Sequence, residues 1–288
     1  MVVYITIQRW RMDLVKGNLH LRVETEADHY AVENVTREAH WVNSWTTDPE
    51  ITDVTLLVDK LRKCAAYLPS LHYVAEIDGE IVGHIIYSKT KIVDETGNEH
   101  ETLTFGPLSV LPKYQGQGIG KALLNFTFDA AKMMGYRAII IFGHPDYYPR
   151  VGFRRCAEFG ITTGDGNNFD PFMVLPLYEG ALDGISGRYF YDPVYDNLPQ
   201  EEVLEFEKKF PPKEMHTAVP LSVLLDKLNP EEQRALNPAE NHSLAVMQTK
   251  SVDFLLAQEG VTQGTIEVIR AVMKENGYAW GTHGENKV

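Results

Sequence analysis

The chain opens its regular patterning with short runs of alternating apolar and polar residues. LHLRVE at 19–24 predicts a strand. ADHYAVENVTREAHW at 27–41 and ITDVTLLVDKLRKCA at 51–65 predict helices, the second with an apolar face at Val54, Leu57, Val58 and Leu61. LHYVAEI and IVGHIIYSK then read as two strands around Asp78-Gly79, the dipeptide of a type I′ hairpin. TLTFGPLSV at 102–110 is a strand with a fault: proline has no N–H for a ladder, so Gly106-Pro107 implies a bulge or an edge. A helix follows, with Ile119, Ala122, Leu123, Phe126, Ala130 and Met133 on its apolar face. AIIIFG at 138–143 predicts a strand buried on both sides, PDYYPRVGF at 145–153 a short helix or turn, and FMVLPLY at 172–178 a last strand. The order predicts a mixed α/β domain. Before all of this, VVYITI could form one more short strand in the first seventeen residues.

After Tyr178 the composition shifts. EGALDGISGRYFYDPVYDNLP is rich in Gly, Asp and aromatic residues and reads as an ordered extension with loops. EEVLEFEKKF predicts a helix, closed by Pro211-Pro212. Beyond it PLSVLLDKL, NPEEQRAL, SVDFLLAQEG and TIEVIRAVMKENG read as helices with no strand among them. The expected division is an N-terminal extension at 1–17, an α/β domain with its extension at 18–213 and an all-α module at 214–288.

Composition narrows the function classes. With 288 residues, 44% hydrophobic and 23% charged, the chain can bury a sizeable core. A net charge of -13 speaks against general nucleic-acid binding and against an anionic membrane surface, and suits a cationic substrate such as an amine. Two distant cysteines, Cys64 and Cys156, and ten scattered histidines announce no metal site or disulfide framework. No signal peptide and no run near the ~20 apolar residues of a membrane span is visible, so a soluble, cytoplasmic protein is expected.

The densest chemical signal is YQGQGIGKALL at 114–124, three glycines at the mouth of a helix. Glycines let a ligand approach the backbone, and the first N–H groups of a helix have no intrahelical partners. Together they suit an anion such as a phosphate. The spacing fits neither a P-loop nor a dinucleotide fingerprint. It fits Gln/Arg-x-x-Gly-x-Gly/Ala through Gln115, Gly118 and Gly120. Here the chain resembles the GCN5-related N-acetyltransferases (GNAT), in which a bulged strand precedes this loop. In that family a strand follows the helix, and a Tyr-x-x-x-Gly-Phe segment comes next, matched by Tyr148, Gly152 and Phe153. The resemblance covers roughly residues 18–178, and PDYYPRVGF looks like one branch of predicted acetyltransferases, with an extension to about residue 213.

The resemblance implies a GNAT fold, a mixed and mostly antiparallel central sheet with flanking helices. It also implies acetyl transfer from acetyl-CoA, without a metal, to a primary amine by direct attack in a ternary complex. The amine would belong to a small molecule or a peptide. The backbone of Gln115, Gly116, Gln117, Gly118, Ile119, Gly120 and Lys121 would cradle the pyrophosphate, and that of Leu108 and Val110 would pair with the pantetheine arm as an added strand would. Tyr148 stands at the family's general-acid position, with Tyr147 beside it. The base is open among His144, Glu76, Glu101 and water. Arg150, Arg154 and Arg155 could meet the 3′-phosphate or only offset the surrounding acidity.

The C-terminal module has a second, fainter resemblance, to a helix-hairpin-helix, through Gly260, Val261, Gln263, Gly264 and Thr265. Thr262 occupies the place of the second glycine, and Asp253, Glu259, Glu267 and Glu275 surround the turn, which argues against nucleic acid. Packing on the first domain, self-association as in a homodimer, or contact with another protein are the remaining roles. Two competing readings are an acyl-CoA-binding sensor and a protein-interaction adaptor with little transferase activity.

Overall fold

A computed structural model describes residues 18–41, 52–145, 147–212, 219–236, 244, 247 and 252–276. The strand suggested near the N-terminus lies outside the described residues. The chain divides into two compact units, Met1–His40 with Asp53–Phe210, and Trp41–Thr52 with Pro211–Val288.

The first unit is built on a sheet of nine strands among the described residues. β1 (Leu19–Val23), β2 (Tyr73–Ile77), β3 (Glu80–Val93) and β4 (Glu99–Val110) form an antiparallel series. β5 (Ala138–Phe142) joins β4 in parallel, and β8 (Phe172–Pro176) continues antiparallel on β5, with β6 (Arg154–Arg155) beyond. β7 (Ile161–Thr163) pairs with β9 (Gly187–Phe190), and β9 pairs with the far end of β3. Asp78 and Gly79 both adopt positive φ, 51° and 83°, as the type I′ turn between β2 and β3 requires.

α1 (His29–His40) and α2 (Val54–Lys63) contact each other, and α1 lies against β3 and β4. α3 (Ile119–Met133) packs with Ile119, Leu123 and Leu124 into the main core beside Ile85, Tyr87, Leu103, Phe105 and Ile139. The expected face of α3 is off at one end: Met133 is 81% exposed, while Leu124, Thr127 and Ala131 are buried. The buried stripe drifts round the helix, because 3.6 residues per turn carries it away from a fixed four-residue step.

β9 was not expected, since its stretch reads as loop. Four residues carry little pattern, and the reason for Gly187 lies elsewhere in the chain. A Cβ there would come within 2.2 Å of the Val93 carbonyl oxygen, so only glycine lets β9 close on β3. α4 (Gln200–Glu207) ends the unit.

The second unit is helical, as expected: α5 (Ser222–Leu225), α6 (Pro230–Ala235), α7 (Val252–Leu256) and α8 (Gln263–Glu275). Leu224, Leu236, Ile266, Ile269 and Val272 share its core. Thr262 caps α8 by accepting from the Thr265 N–H, and the Thr265 hydroxyl donates to Glu232 at 2.6 Å. A carboxylate so close to this helix start disfavours a phosphate there.

Candidate active site

The glycine loop connects β4 to α3. Gly116 and Gly118 have φ of 72° and 82°, the left-handed region that favours glycine, and Gly118 is the residue before α3. The loop's side chains serve its own backbone: Gln115 Nε2 donates to the Val110 carbonyl and Gln117 Nε2 to the Lys113 carbonyl, both at 2.9 Å. Lys113 and Tyr114 are tied to Glu80 on the neighbouring hairpin. Within the loop the Ala122 N–H reaches the Gly118 carbonyl at 2.9 Å. Among the described residues, the N–H groups of residues 116–121 find no protein acceptor. Six successive unanswered donors thus stand at the positive end of a fifteen-residue helix, where the helix dipole favours negative charge.

The adjoining strand is open along one edge. The Leu111 N–H donates to the Val82 carbonyl at 2.8 Å, and His84 lies opposite Ser109. By antiparallel alternation, Ser109 turns its amide and carbonyl toward β3, while Leu108 and Val110 turn theirs to the other edge, where no strand pairs with them and the Val110 carbonyl accepts from Gln115. β5 meets β4 only at Leu103 opposite Ile139, so the two strands part beyond that point. The register between β3 and β4 slips between Ile85 and Tyr87, placing a bulge at Gly106 and Pro107, where a fault was expected. A Cβ on Gly120 would lie 3.8 Å from the side chains of both Leu108 and Val110, so the first turn of α3 packs on this part of β4.

Tyr148 opens the short helix Tyr148–Val151, and its ring packs against Phe105 on β4 and Phe153, with centroids at 5.9 and 5.4 Å. Burial, with Tyr147 adding to it, raises the Tyr148 phenol above its ordinary value. The ring rests over Gly143, where a Cβ would stand 2.4 Å from Cδ2. Tyr147 is 39% exposed.

The other candidates are sorted by their partners. Glu76 accepts from Arg22 at 2.9 Å, and Glu101 is paired with Lys89 at 3.1 Å. The His144 carbonyl accepts from the N–H groups of Tyr147 and Tyr148, so its backbone orients the turn that carries the tyrosine. Arg154 pairs with Glu158 and Arg155 with Asp170, which leaves Arg150 as the exposed arginine of that cluster without an ion-pair partner among the described residues. No cluster of three or more His, Cys, Asp or Glu side chains suited to a metal occurs among the described residues.

Sequence reasoning missed His40. At the end of α1 its Nε2 lies 3.0 Å from the Ser109 hydroxyl. Burial lowers its imidazole to about 4, with the neighbouring Leu108 backbone opposing the shift. A buried polar chain runs behind it. His84 Nε2 meets Thr36 at 2.6 Å, His84 Nδ1 meets His72 Nε2 at 3.3 Å, and His72 Nδ1 meets Glu24 at 2.7 Å. Arg62 binds Glu24 and Glu33 at 2.5 and 2.7 Å. Nothing in the local pattern separates such histidines from surface ones; only the register His84–Ser109 brings the strands' polar residues under α1.

Residues 69–155 match the model of the acetyltransferase (GNAT) domain. The uncharacterized N-acetyltransferase YjhQ of Escherichia coli K12 is 34% identical over 101 residues, 35% of this chain and 55% of YjhQ. The uncharacterized N-acetyltransferase YhbS of the same strain is 30% identical over 114 residues, 40% of this chain and 66% of YhbS. The chain thus spans about half the length of one relative and just under two thirds of the other. The crystal structure of E. coli YhbS in complex with CoA superposes with a TM-score of 0.55 at 24% identity, covering 64% of this chain and 96% of that one. Residues 69–155 therefore match a GNAT acetyltransferase domain, and the sheet around them has the GNAT fold.

Proposed function

We propose that this chain is an acetyl-CoA-dependent N-acetyltransferase that passes an acetyl group to a primary amine by direct attack in a ternary complex. The observation that carries the reading is the run of unanswered N–H donors at residues 116–121 beside the open edge of β4. A pyrophosphate matches the donors, and an extended amide arm matches the edge at Leu108 and Val110. YhbS, which shares the fold, was crystallised with CoA.

Acetyl-CoA supplies an acyl group activated as a thioester; the protein must place it, take a proton and give one. The loop fixes the phosphates through backbone dipoles already oriented for them, so no side chain has to be ordered on binding. An amine with a pKa of about 10.4 arrives protonated and must lose that proton before it can attack. His40, hydrogen-bonded to Ser109 beside Leu108, stands on the α1 side of this edge and orients the water that carries the proton away. Tyr148 holds its proton at every physiological pH and delivers it to the departing thiolate, a contribution of roughly 10²–10⁴ in rate. The acceptor site forms from elements on the face of the sheet opposite α3.

The test is release of free thiol when acetyl-CoA meets a panel of primary amines. Acetylated amine in step with the thiol is expected. Tight acetyl-CoA binding without turnover on any amine would favour a sensor instead.

A further inference from the structure

Outside the loop and Tyr148, the first unit holds a second feature without a role: a cavity of about 650 Å³ with Phe142, Phe169, Phe190, Tyr191, Asp165 and Asp196 in its wall. Three of these rings are unusually open, with Phe142 46%, Phe169 48% and Phe190 40% exposed. Side chains of this size are normally hidden, and a patch of them marks a binding surface. The rings are ordered by one another and by the core beneath, where Phe142 also stacks on buried Phe172 at 5.2 Å and 23°. Phe142 stacks on Phe169 at 5.7 Å and 15°, and Tyr191 stands edge-on to Phe142 at 5.7 Å.

The two carboxylates give the cavity its sign. Asp165 accepts from Thr163 and Asn167, which holds its carboxyl below the ordinary range and keeps it ionised. Asp196 accepts from the Tyr191 hydroxyl at 3.2 Å. Among the described residues, no lysine or arginine lines the space. Arg188 adjoins the wall, its guanidinium donating to the Gly164 carbonyl at 3.2 Å. Aromatic faces with ionised carboxylates and no competing cation are the recognition chemistry of an organic ammonium group.

The cavity's position links it to the transfer site. Phe142 is the last residue of β5 and adjoins Gly143, on which the Tyr148 ring rests. Along β5, Ile139 and Ile141 enter the core shared with α3, whereas Ala138 and Ile140 enter the opposite one with Tyr189. By strand alternation Phe142 points to that opposite side. The cavity thus lies at the C-terminal end of β5, on the face away from α3.

We propose that this cavity holds a second positive charge on the acceptor, so that the preferred substrate is an organic dication: one amine reaches the split and a distal ammonium sits among Phe142, Phe169, Tyr191, Asp165 and Asp196. The charge held here is not the reacting one, because the attacking amine must be neutral. This rests on the transferase reading above, so the test separates the two.

Thiol release is compared for (5-aminopentyl)trimethylammonium, whose quaternary end cannot be acetylated, and hexylamine, which has a neutral tail. The quaternary compound is expected to show a KM at least tenfold lower at similar kcat. Asp165→Asn with Asp196→Asn, near-isosteric changes, should erase that advantage while leaving hexylamine turnover and acetyl-CoA affinity in place. Phe142→Ala should act in the same direction. Equal KM for the two amines, or an advantage that survives the double Asn variant, overturns the proposal while the transferase reading stands. If neither amine is turned over, calorimetric titration with the quaternary compound decides. One-to-one binding abolished by the Asn pair supports the cavity's role, and no binding at millimolar concentration ends it.

Discussion

Gly143→Ala offers a sharp test of what Tyr148 does. Gly143 does not adopt a positive φ, so alanine is acceptable to the backbone, and any effect comes from the added methyl. That methyl would stand 2.4 and 2.5 Å from Cδ2 and Cε2 of Tyr148 and 2.8 Å from Cδ1 of Ile141. Carbon atoms rest at about 3.5 Å or more, so the ring must retreat by about 1 Å. Displacing a reacting group by that much costs on the order of 10²-fold in turnover. Tyr148→Phe, which removes the hydroxyl without moving the ring, should cost a similar ~10² or more. If both act through the same hydroxyl, the double variant is no worse than Tyr148→Phe alone. The cycle then shows a coupling energy of about 2.7 kcal/mol, the free-energy equivalent of 10². The assay is steady-state thiol release, with acetyl-CoA affinity measured by calorimetry and expected to hold in all three variants. Overpacking should also lower stability by about 1–3 kcal/mol. A double variant that loses the product of the two single effects, or a Gly143→Ala protein with normal turnover, would refute the reasoning.

Further outcomes follow from the buried polar residues. His40→Asn should lower turnover at least about tenfold with acetyl-CoA affinity retained; undiminished turnover would remove His40 from the proton path. Arg62→Met should destabilise the fold by about 3–5 kcal/mol in a denaturant titration, because buried Glu24 then loses its guanidinium and Glu33 keeps only Lys209; a change under about 1 kcal/mol would contradict this. Asp28, bonded to Arg22 and capping Thr25, is held at about 2. Because the folded value lies below the unfolded one, its contribution is complete above about pH 4 and fades as pH falls toward 2, about 2 kcal/mol in all. Melting temperatures of the wild type and Asp28→Asn should therefore converge across that window, and a constant gap would show that the ion pair contributes nothing there.

What the sequence revealed and what it hid divide along physical lines. The hairpin at Asp78-Gly79, the faulted strand at Gly106-Pro107 and the apolar run of β5 each state their geometry within a few residues, because positive φ, a missing N–H and two-sided burial are local demands. β9 was hidden because its defining residue, Gly187, answers to the Val93 carbonyl nearly a hundred residues earlier. His40, His84 and His72 were hidden for a related reason: a polar residue on a helix or strand reads as solvated until the register shows what covers it. The glycine loop was legible as a tight turn at the mouth of a helix, where Gly116 and Gly118 take positive φ. That its donors are unanswered, and that Leu108 and Val110 face the open edge, needed the hydrogen-bond register. The aromatic cavity gathers residues from β5, the 163–169 turn and the 189–196 segment, so no single stretch announces it.

The most direct test is calorimetric titration of acetyl-CoA into the wild type, Gly118→Asp and Gly118→Asn. Aspartate and asparagine both tolerate the left-handed conformation at φ 82°, so both variants should fold, and they differ by one negative charge facing the donors of residues 116–121. The account predicts one-to-one binding by the wild type, weaker binding by Gly118→Asn and none by Gly118→Asp. Equal affinity in all three, or no heat from the wild type at millimolar acetyl-CoA, would contradict it.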